Sequence, residues 1–157
     1  MHLLPELDLS QLRRTDEETR DLLLKLDERA EQVQLKVGVL LCKAGQSTEE
    51  EMYNNEISSQ LFDNFLKIIG TKIALTGWAG FRAGLDVRGQ STGTHSVHTV
   101  HRDTEIMFHV STMLPFSKAN KQQVDRKRHI GNDVITIIFQ EPGAAPFSPA
   151  GVRSQSF

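Results

Sequence analysis

Lys127-Arg128-His129-Ile130-Gly131-Asn132-Asp133 runs directly into Val134-Ile135-Thr136-Ile137-Ile138-Phe139. A basic, helix-compatible stretch meets a Gly-Asn-Asp step, and an apolar β-branched run follows at once, which predicts a helix ending into a buried strand. The junction sets a carboxamide, Asn132, at the mouth of a helix-to-strand turn ringed by positive charge. The helix is expected over 119–132 and the strand over 134–140. On such a helix Arg126, His129 and Asn132 are spaced three apart and share a broad face. Val124, Ile130 and the stem of Lys127 can then turn toward a sheet. A plainer reading also fits, because Gly-Asn-Asp can simply end a helix. Spacing alone leaves both open.

Working outward, the rest of the chain supplies the sheet. Leu35–Cys42 reads as a largely buried strand. Ala44-Gly45-Gln46 turns the chain, and Ser47 with Glu50 resembles a capping box opening a short acidic helix. Ser58 or Ser59 caps a stronger helix whose apolar face is Leu61, Phe62, Phe65, Leu66 and Ile69, with Gly70 as its stop. Lys72–Leu75 is a short strand. A glycine-punctuated loop follows, carrying Trp78, Phe81, Arg82 and Asp86. Ser96–Arg102 and Glu105–Ser111 form a hairpin linked at Asp103-Thr104. Residues 8–29 read as a charged helix with a thin leucine stripe, Thr15 and Glu18 forming a capping box. That stripe is expected to pack against something outside this chain. Pro142, Pro146 and Pro149 break regular structure near the end. The order α, β, α, α, β, β, β, α, β predicts an α/β fold, a mixed sheet with flanking helices.

Composition narrows the function classes. The chain has 157 residues, 24% charged and 38% apolar, with net charge -2. It is long enough for one domain that buries roughly 70% of its unfolded surface. The balance carries no global nucleic-acid signature. Charge is segregated: Lys118, Lys121, Arg126, Lys127 and Arg128 face one acid, Asp125, whereas Glu49, Glu50, Glu51 and Glu56 lie together without a base. Helix-dipole stabilisation of a solvated first turn explains the acidic run. A single cysteine, Cys42, excludes an intrachain disulfide framework and fits a reducing compartment. No run is long and apolar enough to span a bilayer, and the N-terminus has no signal-peptide pattern.

Several chemistries lack their motifs. No G-x-x-x-x-G-K-[ST] loop and no G-x-S-x-G elbow occurs. His95, His98 and His101 invite a metal-dependent hydrolase, but His98 points away from the other two on a strand and no zinc-ligand spacing supports a site. Trp78 and Phe81 are expected to pack a loop onto the sheet rather than stack on bases.

The Lys127–Asp133 stretch and its strand resemble the signature of the Rap/Ran-GAP domain. Val37-Gly38-Val39-Leu40, Gly45-Gln46-Ser47-Thr48-Glu49-Glu50-Glu51-Met52-Tyr53-Asn54-Asn55, Gly84-Leu85-Asp86, Thr92-Gly93-Thr94-His95-Ser96 and Glu105 through Pro115 are similar to further family blocks, in family order. The resemblance covers roughly residues 27–157 and is strongest to the Rap-directed, signal-induced proliferation-associated branch. It implies a catalytic domain that stimulates GTP hydrolysis by a GTP-bound Rap-like small GTPase. The chain would be an activator rather than an enzyme in its own right. By the motif, Asn132 is the asparagine thumb offered in trans. Phosphoryl transfer needs positioning and charge stabilisation, and many GTPases orient water with a glutamine that Rap GTPases lack. A carboxamide both donates and accepts, so it can hold that water. His129 is assigned to orient the helix end, and Arg126, Lys127 and Arg128 to contact the partner.

The resemblance also implies no cofactor of the chain's own, since nucleotide and Mg²⁺ belong to the partner. It implies a cytoplasmic protein recruited to membranes where the GTPase resides, and a homodimer made through an accessory region. Residues 1–34 are expected to be the helical tail of that region, and 35–157 the N-terminal part of the catalytic domain, incomplete at its C-terminus. The alternative expectation is a truncated scaffold that binds a GTPase and stimulates nothing.

Overall fold

A computed structural model describes residues 16–29, 33–146 and 148. The chain divides into two compact units, Met1–Gln32 and Val33–Phe157. The first holds α1 (Glu17–Arg29), with Leu22, Leu23 and Leu24 about half exposed. The expected turns at 8–15, and the Thr15 cap, lie outside the described residues. Among the described residues Asp16 caps α1: its Oδ1 accepts from the Thr19 amide at 2.7 Å.

The second unit follows the expected order: β1 (Val33–Cys42), α2 (Glu49–Tyr53), α3 (Gln60–Ile69), β2 (Thr71–Ala74), β3 (His95–His101), β4 (Thr104–Val110), α4 (Val124–Ile130) and β5 (Ile135–Gln140). The five strands form one mixed sheet in the order β2-β3-β4-β1-β5. β1 is parallel to both neighbours, with Val37 opposite Phe108 on β4 and Ile135 on β5. β2, β3 and β4 pair antiparallel.

β1 is buried on both faces, as its near-continuous apolar run demands. Val37, Val39 and Leu41 pack with Phe62 and Leu66 of α3. Phe65 and Phe139 stack beside them, ring centres 5.0 Å apart. Leu40 and Cys42 face the other way, into a core with Met52, Tyr53, Leu85, Met107 and Ile130. The loop after β2 packs onto this second core through Trp78, whose ring meets His98 at 4.9 Å.

Two local expectations shift and two are met in a more specific form. The capping box is Thr48 with Glu51, one residue beyond Ser47 and Glu50: the Glu51 amide donates to Thr48 Oγ1, and Glu51 Oε2 accepts from the Thr48 amide at 2.9 Å. The hairpin turn is Arg102-Asp103, with Arg102 at φ +53° and His101 opposite Thr104. Ser59 rather than Ser58 caps α3, accepting from the Phe62 amide. Gly70 does end α3, but in extended backbone; its lack of a side chain matters because a Cβ would come within 2.8 Å of the His98 carbonyl oxygen.

The largest departure is α4, seven residues long rather than fourteen. Turns occupy 118–119 and 121–122, and Gln123 adopts a left-handed conformation (φ +46°), so regular helix starts at Val124. Gln123 is held there by its side chain, whose Nε2 donates to the Ser117 carbonyl and to Asn54 Oδ1.

Candidate functional site

In a short helix the i, i+4 pairs decide which side chains turn inward. Arg126 and Ile130 form the buried pair of α4, and Arg128 and Asn132 form an exposed pair. The sequence spacing of three had placed Arg126 beside Asn132. The structure separates them.

Arg126 is 1% exposed. Its Nη1 donates to the Tyr53 and Asn55 carbonyls, each at 2.8 Å, Nη2 to Leu114 and Nε to Pro115, each at 3.1 Å. The guanidinium also lies over the Phe116 ring at 5.0 Å. Burial pushes its pKa down to about 10, partly opposed by Glu56. Arg126 therefore ties the end of α2 to the β4–α4 connection, and the expected partner contact is replaced by an internal one. Val124, expected to face the sheet, is exposed instead.

Lys127 is half-exposed, with Nζ 3.8 Å from Glu49 Oε2. Glu49 is buried while Glu50 and Glu51 are exposed, so the acidic run is the expected solvated turn at only two of its three residues. Burial and then the Glu49 charge push the Tyr53 hydroxyl well above its ordinary pKa. Arg128 is exposed. With Lys127 and His129 it places three basic groups in the last turn, where the helix dipole is partially negative.

His129 is partly buried, its ring 5.3 Å from that of His109 in an edge-on arrangement. Burial, followed by the charges of His109 and Arg128, depresses its pKa below the usual histidine value.

Asn132 is exposed, one residue past the Gly131 cap. Its Nδ2 donates to the Arg128 carbonyl at 2.7 Å, satisfying one of the helix's orphan oxygens. The plain helix-end reading is thus physically real. It also fixes the carboxamide's orientation. Among the described residues nothing donates to Asn132 Oδ1. Lys36 Nζ on β1 donates to the Asn132 backbone carbonyl at 3.3 Å.

Beneath the thumb candidate, Asp133 is buried and its carboxylate faces His109 Nδ1 at 2.8 and 2.9 Å. Gly38 on β1 makes this packing possible: a Cβ there would stand 2.6 Å from Ile130 Cγ2 and 3.3 Å from Asp133 Oδ2. Lys36, Gly38, His109 and Asp133 were missed as site residues. The signals were a glycine inside an apolar strand and a lone histidine in the most buried part of another.

His95, His98 and His101 do not converge. His95 bonds Thr94, and His98 bonds Glu105 at 3.0 Å. Among the described residues no group of three or more His, Cys, Asp and Glu side chains could hold a metal ion. No described helix is long and apolar enough to cross a membrane.

The Rap/ran-GAP family model matches residues 52–157. The chain is 56% identical over 156 residues to signal-induced proliferation-associated 1-like protein 1 of Mus musculus, across 98% of this chain and 9% of that protein. It is 51% identical over 155 residues to human signal-induced proliferation-associated protein 1, across 98% of this chain and 15% of that one. The first relatives are thus matched over about 9% of their length. Among solved structures, the TSC2 GAP domain aligns with a TM-score of 0.71 at 35% identity, covering 78% of this chain and 64% of that one. Sheet, helices and sequence blocks agree, and the chain belongs to the Rap/ran-GAP family.

Proposed function

We propose that this chain is the activating part of a GTPase-activating protein for a Rap-like small GTPase, acting on the GTP-bound form in the cytoplasm. Asn132 enters the partner's nucleotide site in trans and positions the hydrolytic water. One observation carries the reading: an exposed carboxamide whose nitrogen is already committed to the Arg128 carbonyl, so its oxygen is oriented and available to accept from water. Orienting a nucleophile in advance is where phosphoryl transfer gains most from a protein. The basic last turn supports docking, since Arg128 and the half-exposed Lys127 present positive charge beside Asn132. Charge of this kind raises association rates and loses its effect in salt. His129 braces the helix end from its partly buried position.

Single-turnover GTP hydrolysis by a Rap GTPase, with and without the chain, tests this. The chain accelerates hydrolysis, and Asn132→Ala abolishes the acceleration while still binding the GTP-loaded partner. Equal acceleration by the alanine variant would refute the role of Asn132. Binding without acceleration by the unaltered chain would instead identify it as a scaffold.

A further inference from the structure

Two energetically costly features meet on one imidazole next to Asn132. His109 is 2% exposed. On one side its Nδ1 contacts both carboxylate oxygens of Asp133, at 2.9 and 2.8 Å. On the other, its Nε2 lies 3.1 Å from the carbonyl oxygen of Ala83. Both neighbours are oxygen acceptors, so both bonds form only when each ring nitrogen carries a proton.

A buried charge pair is a poor way to gain stability, because an apolar pair of similar volume does as well; its better-attested use is to fix one arrangement among several. Ala83, meanwhile, is a non-glycine residue at φ +52°, in the left-handed region that side chains resist. Such backbone persists where the surroundings over-determine it, and it clusters at functional sites. Neither feature is needed for the sheet, whose β4 strand is already paired on both sides through β1 and β3.

We infer that His109 is a positioning residue for Asn132: by clamping Asp133, the next residue in the chain, to the Ala83 turn, it sets where the Asn132 peptide lies. The inference rests on the Asn132 reading above. Fixing Asp133 fixes the plane of the Asn132–Asp133 peptide, whose carbonyl Lys36 holds from β1. The side chain is fixed separately, through the Arg128 carbonyl. Removing the His109 clamp leaves Asn132 exposed and chemically intact, but loosens the peptide that carries it, with the weaker Lys36 and Arg128 bonds left to hold it. It also uncouples the 75–94 loop from the helix end, since Ala83 belongs to that loop.

The test uses the full chain with His109→Phe, which keeps a ring and deletes both bonds, and Asp133→Asn, which keeps the shape and deletes the charge. Saturating single-turnover rate and half-saturation are measured separately with GTP-loaded Rap, beside thermal melting. The expected result is a fall of about tenfold or more in saturating rate with half-saturation changed less than about twofold, the pattern of a misplaced but present group. The two substitutions together should cost no more than the worse one alone, because they break one unit. The Asn132 side-chain amide signals in NMR should broaden or average in both variants. A folded variant with the full saturating rate, or one whose loss lies wholly in half-saturation, overturns the inference. If Asn132→Ala is inactive and these variants are not, the thumb stands and the clamp falls; if Asn132→Ala is fully active, the thumb itself falls. Should neither variant fold, NMR of the unaltered chain decides. A proton on each His109 ring nitrogen and one sharp Asn132 amide pair uphold the clamp, and a bare ring nitrogen overturns it.

Discussion

Replacing Arg126 separates the partner contact expected from the sequence from the internal role seen in the structure. If Arg126 met the GTPase, its loss would weaken binding and leave the fold alone. The structure predicts the reverse. Arg126→Met deletes four hydrogen bonds, to the carbonyls of Tyr53, Asn55, Leu114 and Pro115, in a buried setting. At a net contribution of about 1 kcal/mol per bond, the loss is about 4 kcal/mol. Relief from burying a charge, visible in the pKa lowered to about 10, offsets part of it. The methionine refills most of the volume, so little cavity cost is added. A net loss of about 3 kcal/mol is a large share of the roughly 5–15 kcal/mol typical of a domain. It should lower the melting temperature by roughly 10–15 °C. Arg126→Lys, with three donors and no planar fork, satisfies at most three of the four carbonyls and should fall between. Circular dichroism melts and urea titrations of the three proteins, with GTPase binding measured at a temperature where all are folded, provide the assay. A melting temperature within about 2 °C of the parent, combined with lost binding, would refute the internal role of Arg126.

Two further predictions follow from the same site. Gly38→Ala forces its methyl against Ile130 Cγ2 at 2.6 Å. Overpacking of about 1–3 kcal/mol should outweigh the roughly 0.4–1 kcal/mol gained from a stiffer unfolded chain; a urea midpoint at or above the parent's would contradict this. His129 has a depressed pKa, chiefly from burial, so the unfolded chain binds its proton more readily. Stability should therefore be full above pH ~6.5 and decline as pH falls toward the folded value, and His129→Gln should flatten that part of the profile in melts across the pH range. A parent and variant that lose stability in parallel would show that other groups carry the acid sensitivity.

How much of this was legible beforehand depended on the range of the interaction. β1 and β5 announced themselves by apolar, β-branched runs, and α3 by its apolar face, because those patterns are local. The capping box slipped by one residue because Ser47-Thr48 and Glu50-Glu51 offer two overlapping versions of the same motif. The short α4 was hidden because the left-handed backbone at Gln123 is stabilised by Ser117 and Asn54, one of them far away in sequence. Arg126 turned inward because four carbonyl acceptors gather only once α2 and the β4–α4 connection come together. Asn132 was singled out by its motif and its family resemblance, and the structure adds its exposure and its bond to the Arg128 carbonyl. The residues that hold its backbone, Lys36, His109 and Asp133, draw their meaning from pairing across the sheet and could not be read from neighbours.

The parallel pairing of β1 also has a consequence in time. Its ladder partners are Phe108 opposite Val37 on one side and Ile135 opposite the same residue on the other. Contacts so distant along the chain make folding slow, because loop closure precedes any reward. During synthesis β1 emerges first and waits as an apolar, unpaired strand until β4 and then β5 leave the ribosome, a period of exposure to aggregation. The turn bearing Asn132 lies between α4 and β5, the last of the described strands in chain order. Asn132 therefore gains a fixed position only once β5 pairs with β1, and a nascent chain released before that would carry the residue without its geometry.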